Sequence, residues 1–102
     1  MSQPEKLSNN QKKYLRGIAH GLNPMIIIGS NGITKNLMEE LESTLEHHEI
    51  LKIKIAFGDR DERQEIVQHI INQTEALLVQ SIGKICVIYR QKEETELPLP
   101  RN

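Results

Sequence analysis

The segment Pro24-Met25-Ile26-Ile27-Ile28-Gly29-Ser30-Asn31-Gly32-Ile33-Thr34 carries a complete local instruction. A β-branched apolar run breaks at a glycine, two small polar residues follow, and a second glycine leads to a threonine suited to cap a helix. The reading is a buried strand, a tight G-x-x-G loop and a helix start. Glycines at both ends of the loop let backbone approach a ligand closely, because no Cβ stands in the way. The first amides of the helix have no intrahelical acceptor and carry the positive end of its dipole, so they suit a phosphate. Two readings of the loop stand side by side, an anion grip and a tight structural turn.

The chain has 102 residues, the size of one domain (1–102, with about 6–98 ordered between short tails) and enough for one core. Hydrophobic residues make up 37% and charged residues 26%, the balance of a soluble globular domain. No apolar run approaches the roughly 20 residues a membrane span needs, and Met-Ser-Gln-Pro-Glu-Lys is no signal-peptide core. The single cysteine, Cys86, cannot form an internal disulfide, and a cytoplasmic location is expected. A net charge of −1 hides a division. Residues 1–36 hold Lys6, Lys12, Lys13, Arg16 and Lys35 against Glu5 alone, whereas 37–51 hold Glu39, Glu40, Glu42, Glu46 and Glu49 with no Lys or Arg. A local basic patch, not the average, steers a polyanion; equally, such charges can simply solvate helix faces.

Ser8 with Gln11 forms a capping box for a first helix, whose buried stripe is Leu15, Ile18, Ala19 and Leu22. Lys12, Arg16 and His20 recur at a spacing of four as a basic ridge on another face, and Gly21 and Pro24 end the helix. Met25–Ile28 lacks alternation, so both faces of this strand are expected to be buried. Thr34 caps the second helix, with Ile33 and Met38 placed as a hydrophobic staple; Leu37, Leu41 and Leu45 form its core stripe. Leu51, Ile53, Ile55 and Phe57 alternate with Lys52, Lys54 and Ala56, a strand with one basic wet face. Asp61 with Gln64 is expected to cap a third helix, with Ile66, Val67, Ile70 and Ile71 inward. Strands near 76–82 and 85–90 close the chain through a Gly83-Lys84 hairpin turn. The order α-β-α-β-α-β-β predicts an α/β (α+β) fold with a four-stranded mixed sheet packed with helices.

The loop is no Walker motif, since no Lys-Ser/Thr pair follows Gly32, and it lacks the third glycine of a dinucleotide fingerprint. His47 and His48 point about 100° apart on a helix with no cysteine nearby, so no metal or other cofactor is expected. The acids of 59–63 gather where a helix N-terminus favours them. No nucleophile–base–orienter set stands out, and no enzyme is expected. With only Tyr14, Phe57 and Tyr89 as aromatics, a base-stacking platform is disfavoured. A nucleic-acid binder built this way holds the backbone.

Lys12-x-x-Leu15-x-x-x-Ala19-His20-x-Leu22-x-Pro24, followed by Gly29-Ser30-Asn31-Gly32-Ile33-Thr34, closely resembles the CRM domain family (chloroplast RNA splicing and ribosome maturation) in its bacterial stand-alone form. The likeness runs from about Lys6 to Pro98 and includes Leu45-Glu46-His47-His48-Glu49 and the Leu-Pro tail. It implies a fold like the C-terminal domain of bacterial translation initiation factor three. It also implies a non-catalytic RNA-binding protein acting as an assembly factor on ribosomal RNA in large-subunit precursors. The family's loop falls on Gly29, Ser30, Asn31 and Gly32, and its basic helix positions on Lys12 and Arg16. Many CRM domains carry a basic residue where this chain has Ser30, which implies one fewer direct phosphate contact. The expected RNA contacts are therefore Gly29–Gly32, Lys12, Lys13, Arg16 and Lys35, followed by Lys52 and Lys54. A monomer is expected. The alternatives are a binder of a small phosphorylated ligand at the same loop and a protein-binding adaptor using the acidic second helix.

Overall fold

The computed structural model describes residues 6–100. Its elements follow the expected order: α1 Asn9–His20, β1 Ile26–Ile28, α2 Lys35–His48, β2 Ile50–Ile55, α3 Arg60–Thr74, β3 Leu77–Ile82 and β4 Ile85–Tyr89. The strands form one mixed sheet in the order β1-β2-β4-β3. β1 and β2 are parallel, and β4 pairs antiparallel with both β2 and β3.

The sheet divides the interior into two cores because successive strand side chains point to opposite faces. On one face, Ile26, Ile28, Leu51, Ile53, Ile55, Cys86 and Ile88 pack against Leu41 and Leu45 of α2 and Val67 and Ile70 of α3. Ile33 and Met38 border this core, consistent with a staple at the start of α2. On the other face, Ile50, Val79, Val87 and Tyr89 meet Leu7 and the Leu15 and Ala19 stripe of α1. A register shift between Leu78 and Gln80 lets β3 turn Val79 into this second core.

Two expectations need correction. Ile27 is 62% exposed, although the unbroken apolar run predicts burial on both faces of its strand. β1 is an edge strand of three residues, and the stripe of α1 packs over β2, β4 and β3 without covering it. The third helix is capped by Asp59, not Asp61: Asp59 accepts from the Glu62 amide at 2.9 Å while the Glu62 carboxylate accepts from the Asp59 amide at 3.2 Å. Asp59 alone has the extended backbone a cap requires, and Asp61 lies within the first turn. The Leu-Pro tail packs against the fold. Leu97 and Leu99 join the second core, and the Gln11 side chain donates to the Pro100 carbonyl at 3.0 Å.

The tail is held by a buried carboxylate. Glu49, only 1% exposed, accepts from the Thr95 hydroxyl at 2.5 Å, the Glu96 amide at 2.8 Å and the Lys92 amide at 3.3 Å. Its own carbonyl accepts from the Arg90 amide, so one residue joins the end of α2, the end of β4 and the tail. Buried charge is tolerated when its oxygens are satisfied in this way. Replacing Glu49 by Gln leaves a weaker acceptor that also presents donors to donors. It is expected to cost about 1–3 kcal/mol in thermal unfolding and to speed hydrogen exchange at the Lys92 and Glu96 amides first.

Cys86 and Tyr89 sit in these cores as neutral groups. Burial pushes the Cys86 thiol from 9.0 to about 12, and burial followed by the nearby Glu49 carboxylate pushes the Tyr89 phenol from 10.0 to about 12. The unfolded chain therefore releases these protons at lower pH than the fold does. Stability is expected to fall as pH climbs from about 9 towards 12 in urea titrations and to be indifferent to these groups below about 8.

Candidate nucleic-acid interface

The loop between β1 and α2 closes as a tight turn, with the Gly32 amide donating to the Gly29 carbonyl at 3.0 Å. Gly32 has φ +69°, a left-handed backbone that glycine adopts without strain. Gly29 has no such requirement, and a Cβ there meets nothing within 4 Å. The two glycines are thus unequal in what the turn asks of them: Gly32 supplies its left-handed backbone, and Gly29 leaves backbone open.

Beyond the turn, the Thr34 hydroxyl accepts from the Leu37 amide at 3.1 Å, and the Thr34 carbonyl accepts from the Met38 amide at 3.0 Å. The Gly32 amide is already bonded within the turn. The amides of Ser30, Asn31, Lys35 and Asn36 have no partner among the described residues. Ser30, Asn31 and Lys35 are exposed. Together they form an open cluster of donors at the positive end of a 14-residue helix.

The cations fall into three environments. Lys13, Arg16 and His20 line a groove of about 480 Å³ between α1 and the sheet, closed by Lys52, Gln80, Ile85 and Val87. Lys12 is half-buried and does not line it, so the side of α1 facing this groove runs through Lys13 instead. Lys52 is structural, since its ammonium donates to the Ala19 carbonyl at 3.1 Å and the Leu22 carbonyl at 2.9 Å. It thereby adds a second bond to the Ala19 carbonyl, which already accepts from the Leu22 amide, and pins the C-terminal end of α1 to the sheet. Lys54 lies one strand repeat further on, exposed and without a bonded partner among the described residues. Lys35 stands at the border of the other side, lining the α2–α3 cleft with Glu39, Glu42 and Glu46.

The acids are segregated completely in the secondary structure. None of the fourteen Asp and Glu residues lies in α1 or in any strand. They occupy α2, α3, the ends of these helices and the two chain termini. One side of the sheet thus presents Lys13, Arg16, His20, Lys52 and Lys54, and the helices on the other side carry the glutamates.

Topology adds a cation, Lys84, that residue spacing alone does not reveal. The Ile55 amide donates to the Lys84 carbonyl at 2.7 Å, which brings the hairpin turn to the same end of the sheet as the G-x-x-G loop. Arg63 fastens this end by donating to the Gly58 carbonyl at 2.7 Å and the Gly83 carbonyl at 3.1 Å. Only the β2–β4 register makes this proximity visible. Among the described residues, no group of three His, Cys, Asp or Glu gathers as a metal-ligand set. His47 instead contacts the Ser43 carbonyl through Nδ1 at 2.7 Å.

The CRS1/YhbY (CRM) domain model matches residues 7–90, which takes in α1, the G-x-x-G loop and the whole sheet. The chain belongs to the CRM domain family. This CRM domain is 46% identical over 95 residues to a Haemophilus influenzae protein named as an RNA-binding protein, covering 93% of this chain and 96% of that one. It is 40% identical to a Pseudomonas aeruginosa protein carrying the name "probable RNA-binding protein", over 83% of this chain and 82% of the relative. The solution structure of a Staphylococcus aureus protein proposed to bind RNA superposes with a TM-score of 0.78 at 38% identity, covering 92% of this chain and 99% of that one.

The unequal glycines of this CRM domain give a direct test. Gly32→Ala forces a side chain into the left-handed region and is expected to lose about 1–2 kcal/mol. Gly29→Ala should melt within about 0.5 kcal/mol of the parent. Chemical denaturation of the two variants side by side measures the difference.

Proposed function

We propose that this protein binds RNA through its phosphates. The Ser30 and Asn31 amides and the start of α2 form one contact, and Lys13 and Arg16 form another beside it. The observation that carries the reading is the acid-free groove: every element lining it lacks Asp and Glu, while donors with no internal partner open at the adjoining loop. A polyanion meets attraction there and no repulsion. The names of the relatives support the same chemistry. The family resemblance extends the proposal to ribosomal RNA in large-subunit precursors, with the protein acting in the cytoplasm as a non-catalytic, monomeric assembly factor.

A small phosphorylated ligand is a weaker occupant, since Ser30 and Asn31 are exposed and would hold it in open solvent. The adaptor reading is also weaker. Glu42 of the acidic helix already pairs with Arg90 at 2.9 Å, and the basic groove would have no role.

The decisive variant is Ser30→Asp with Asn31→Asp, both glycines kept. Two carboxylates just ahead of a helix favour its dipole by about 0.3–1 kcal/mol each, so the melting temperature is expected to hold or rise slightly. The same charges face a bound phosphate, so RNA affinity and co-sedimentation with large-subunit precursors are expected to be lost. Normal melting with undiminished association would remove the loop from the interface. Separately, Lys13→Ala with Arg16→Ala should flatten the slope of log K against log salt by about one unit per lost phosphate contact.

A further inference from the structure

We propose that the uncovered end of the sheet receives unpaired bases of single-stranded RNA along the row Ile27–Lys54–Ile85–Ile82, with Lys54 reaching a neighbouring phosphate. Ile27 pairs with Lys54, Lys54 with Ile85 and Ile85 with Ile82, so the four side chains form one line on one face across all four strands. Rows further along the same face are covered. Tyr89 and Leu77 lie under α1 and the tail, and Lys52, Val87 and Gln80 line the groove beside α1. The last row meets that groove only at Ile85 and is otherwise open. Ile27 is 62% exposed and Ile82 64%, the two most exposed large apolar side chains among the described residues, and Lys54 between them has no bonded partner there.

Exposed apolar side chains gathered in a line with a polar border mark a contact surface. The border here selects the occupant. The groove cations Lys13 and Arg16 lie on one side, Lys84 at the hairpin turn, and the open amides of Ser30 and Asn31 just past the end of β1. Asp59 and Glu62, in the loop and helix that follow β2, are held in their capping box. The surface is apolar and cationic together. An unpaired strand matches it, because it exposes flat base faces beside its phosphates. A duplex hides those faces and would leave the isoleucines in water. Four strands about 4.8 Å apart span roughly 14 Å, long enough for more than one base. Aliphatic burial, not ring stacking, holds the base, so little sequence preference is expected.

This inference rests on the RNA-binding reading and deepens it. The test compares wild type with Ile27→Thr/Ile82→Thr, which keeps β-branching and hence strand preference while removing apolar surface. The probes are an oligouridine strand, the same strand paired with oligoadenine, and an abasic strand with the same backbone. The double variant is expected to bind oligouridine about tenfold more weakly, with an unchanged salt slope and unchanged duplex affinity. The abasic strand is expected to bind wild type and variant alike, and Lys54→Gln to reduce the slope on oligouridine by about one. Wild type binding oligouridine and the abasic strand equally overturns the proposal, and this comparison stands even if the double substitution unfolds. Equal oligouridine affinity in wild type and folded double variant also overturns it, as does an equal loss on the duplex. Loss of binding to anionic phospholipid vesicles with RNA affinity intact would assign the row to a membrane instead. Wild type binding none of the three nucleic acids defeats the RNA reading itself; binding with the row indifferent defeats only this inference.

Discussion

A sheet with two apolar faces needs cover on both, and three helices among the described residues provide it. α2 and α3 share one face and fill it with leucine and isoleucine. α1 takes the other face alone, aided by Leu97 and Leu99 of the tail. One helix cannot shield four strands along their full length. The incomplete cover leaves the end of the sheet carrying Ile27, Lys54 and Ile82 open, and it leaves a groove beside α1 lined by Lys13 and Arg16. The same imbalance sorts the charge. Helices α2 and α3 can carry glutamates on their outer sides, whereas α1 and the strands carry no acid at all.

Two polar contacts make this arrangement specific. Hydrophobic packing is non-directional and would tolerate small rotations of α1 over the sheet. The Lys52 ammonium, donating to two carbonyls at the end of α1, selects one position for that end. Glu49 does the same for the tail, gathering one hydroxyl and two amides around a buried carboxylate. Each contact is a charged group satisfied largely by backbone, the kind whose disruption leaves an unpaired charge or orphaned amides.

Much of this architecture is legible in the residues. Ser8 and Gln11, Thr34, and the alternation of Leu51, Ile53 and Ile55 each declare a local structure that the packing respects. The cap of α3 lies two positions ahead of its expected place because Asp59 and Asp61 both stand three residues before a side chain able to reach back, Glu62 and Gln64. Only backbone geometry separates them. An unbroken isoleucine run suggests burial on both sides, but depth in a sheet depends on strand order, which local pattern does not carry. In sequence, Lys52 and Glu49 look like a surface cation and one glutamate among several. Their partners lie 30 and 33 residues away for Lys52 and 43, 46 and 47 away for Glu49, so nothing local announces them. Of the candidate interface, the loop and the basic side of α1 are visible in sequence, while the position of Lys84 at the loop end of the sheet emerges only from the β2–β4 register.

The two isoleucines left in water both stand on the outer strands, β1 and β3. Outer strands offer unpaired amides and carbonyls, and with apolar side chains beside them they invite another chain to add on as a fifth strand. Here the invitation is blunted at both margins. β1 is only three residues long, too short to template a stable ladder, and the irregularity at Leu78–Gln80 interrupts the regular spacing along β3. The molecule can therefore keep adhesive side chains exposed while resisting the sheet-to-sheet growth that usually accompanies them.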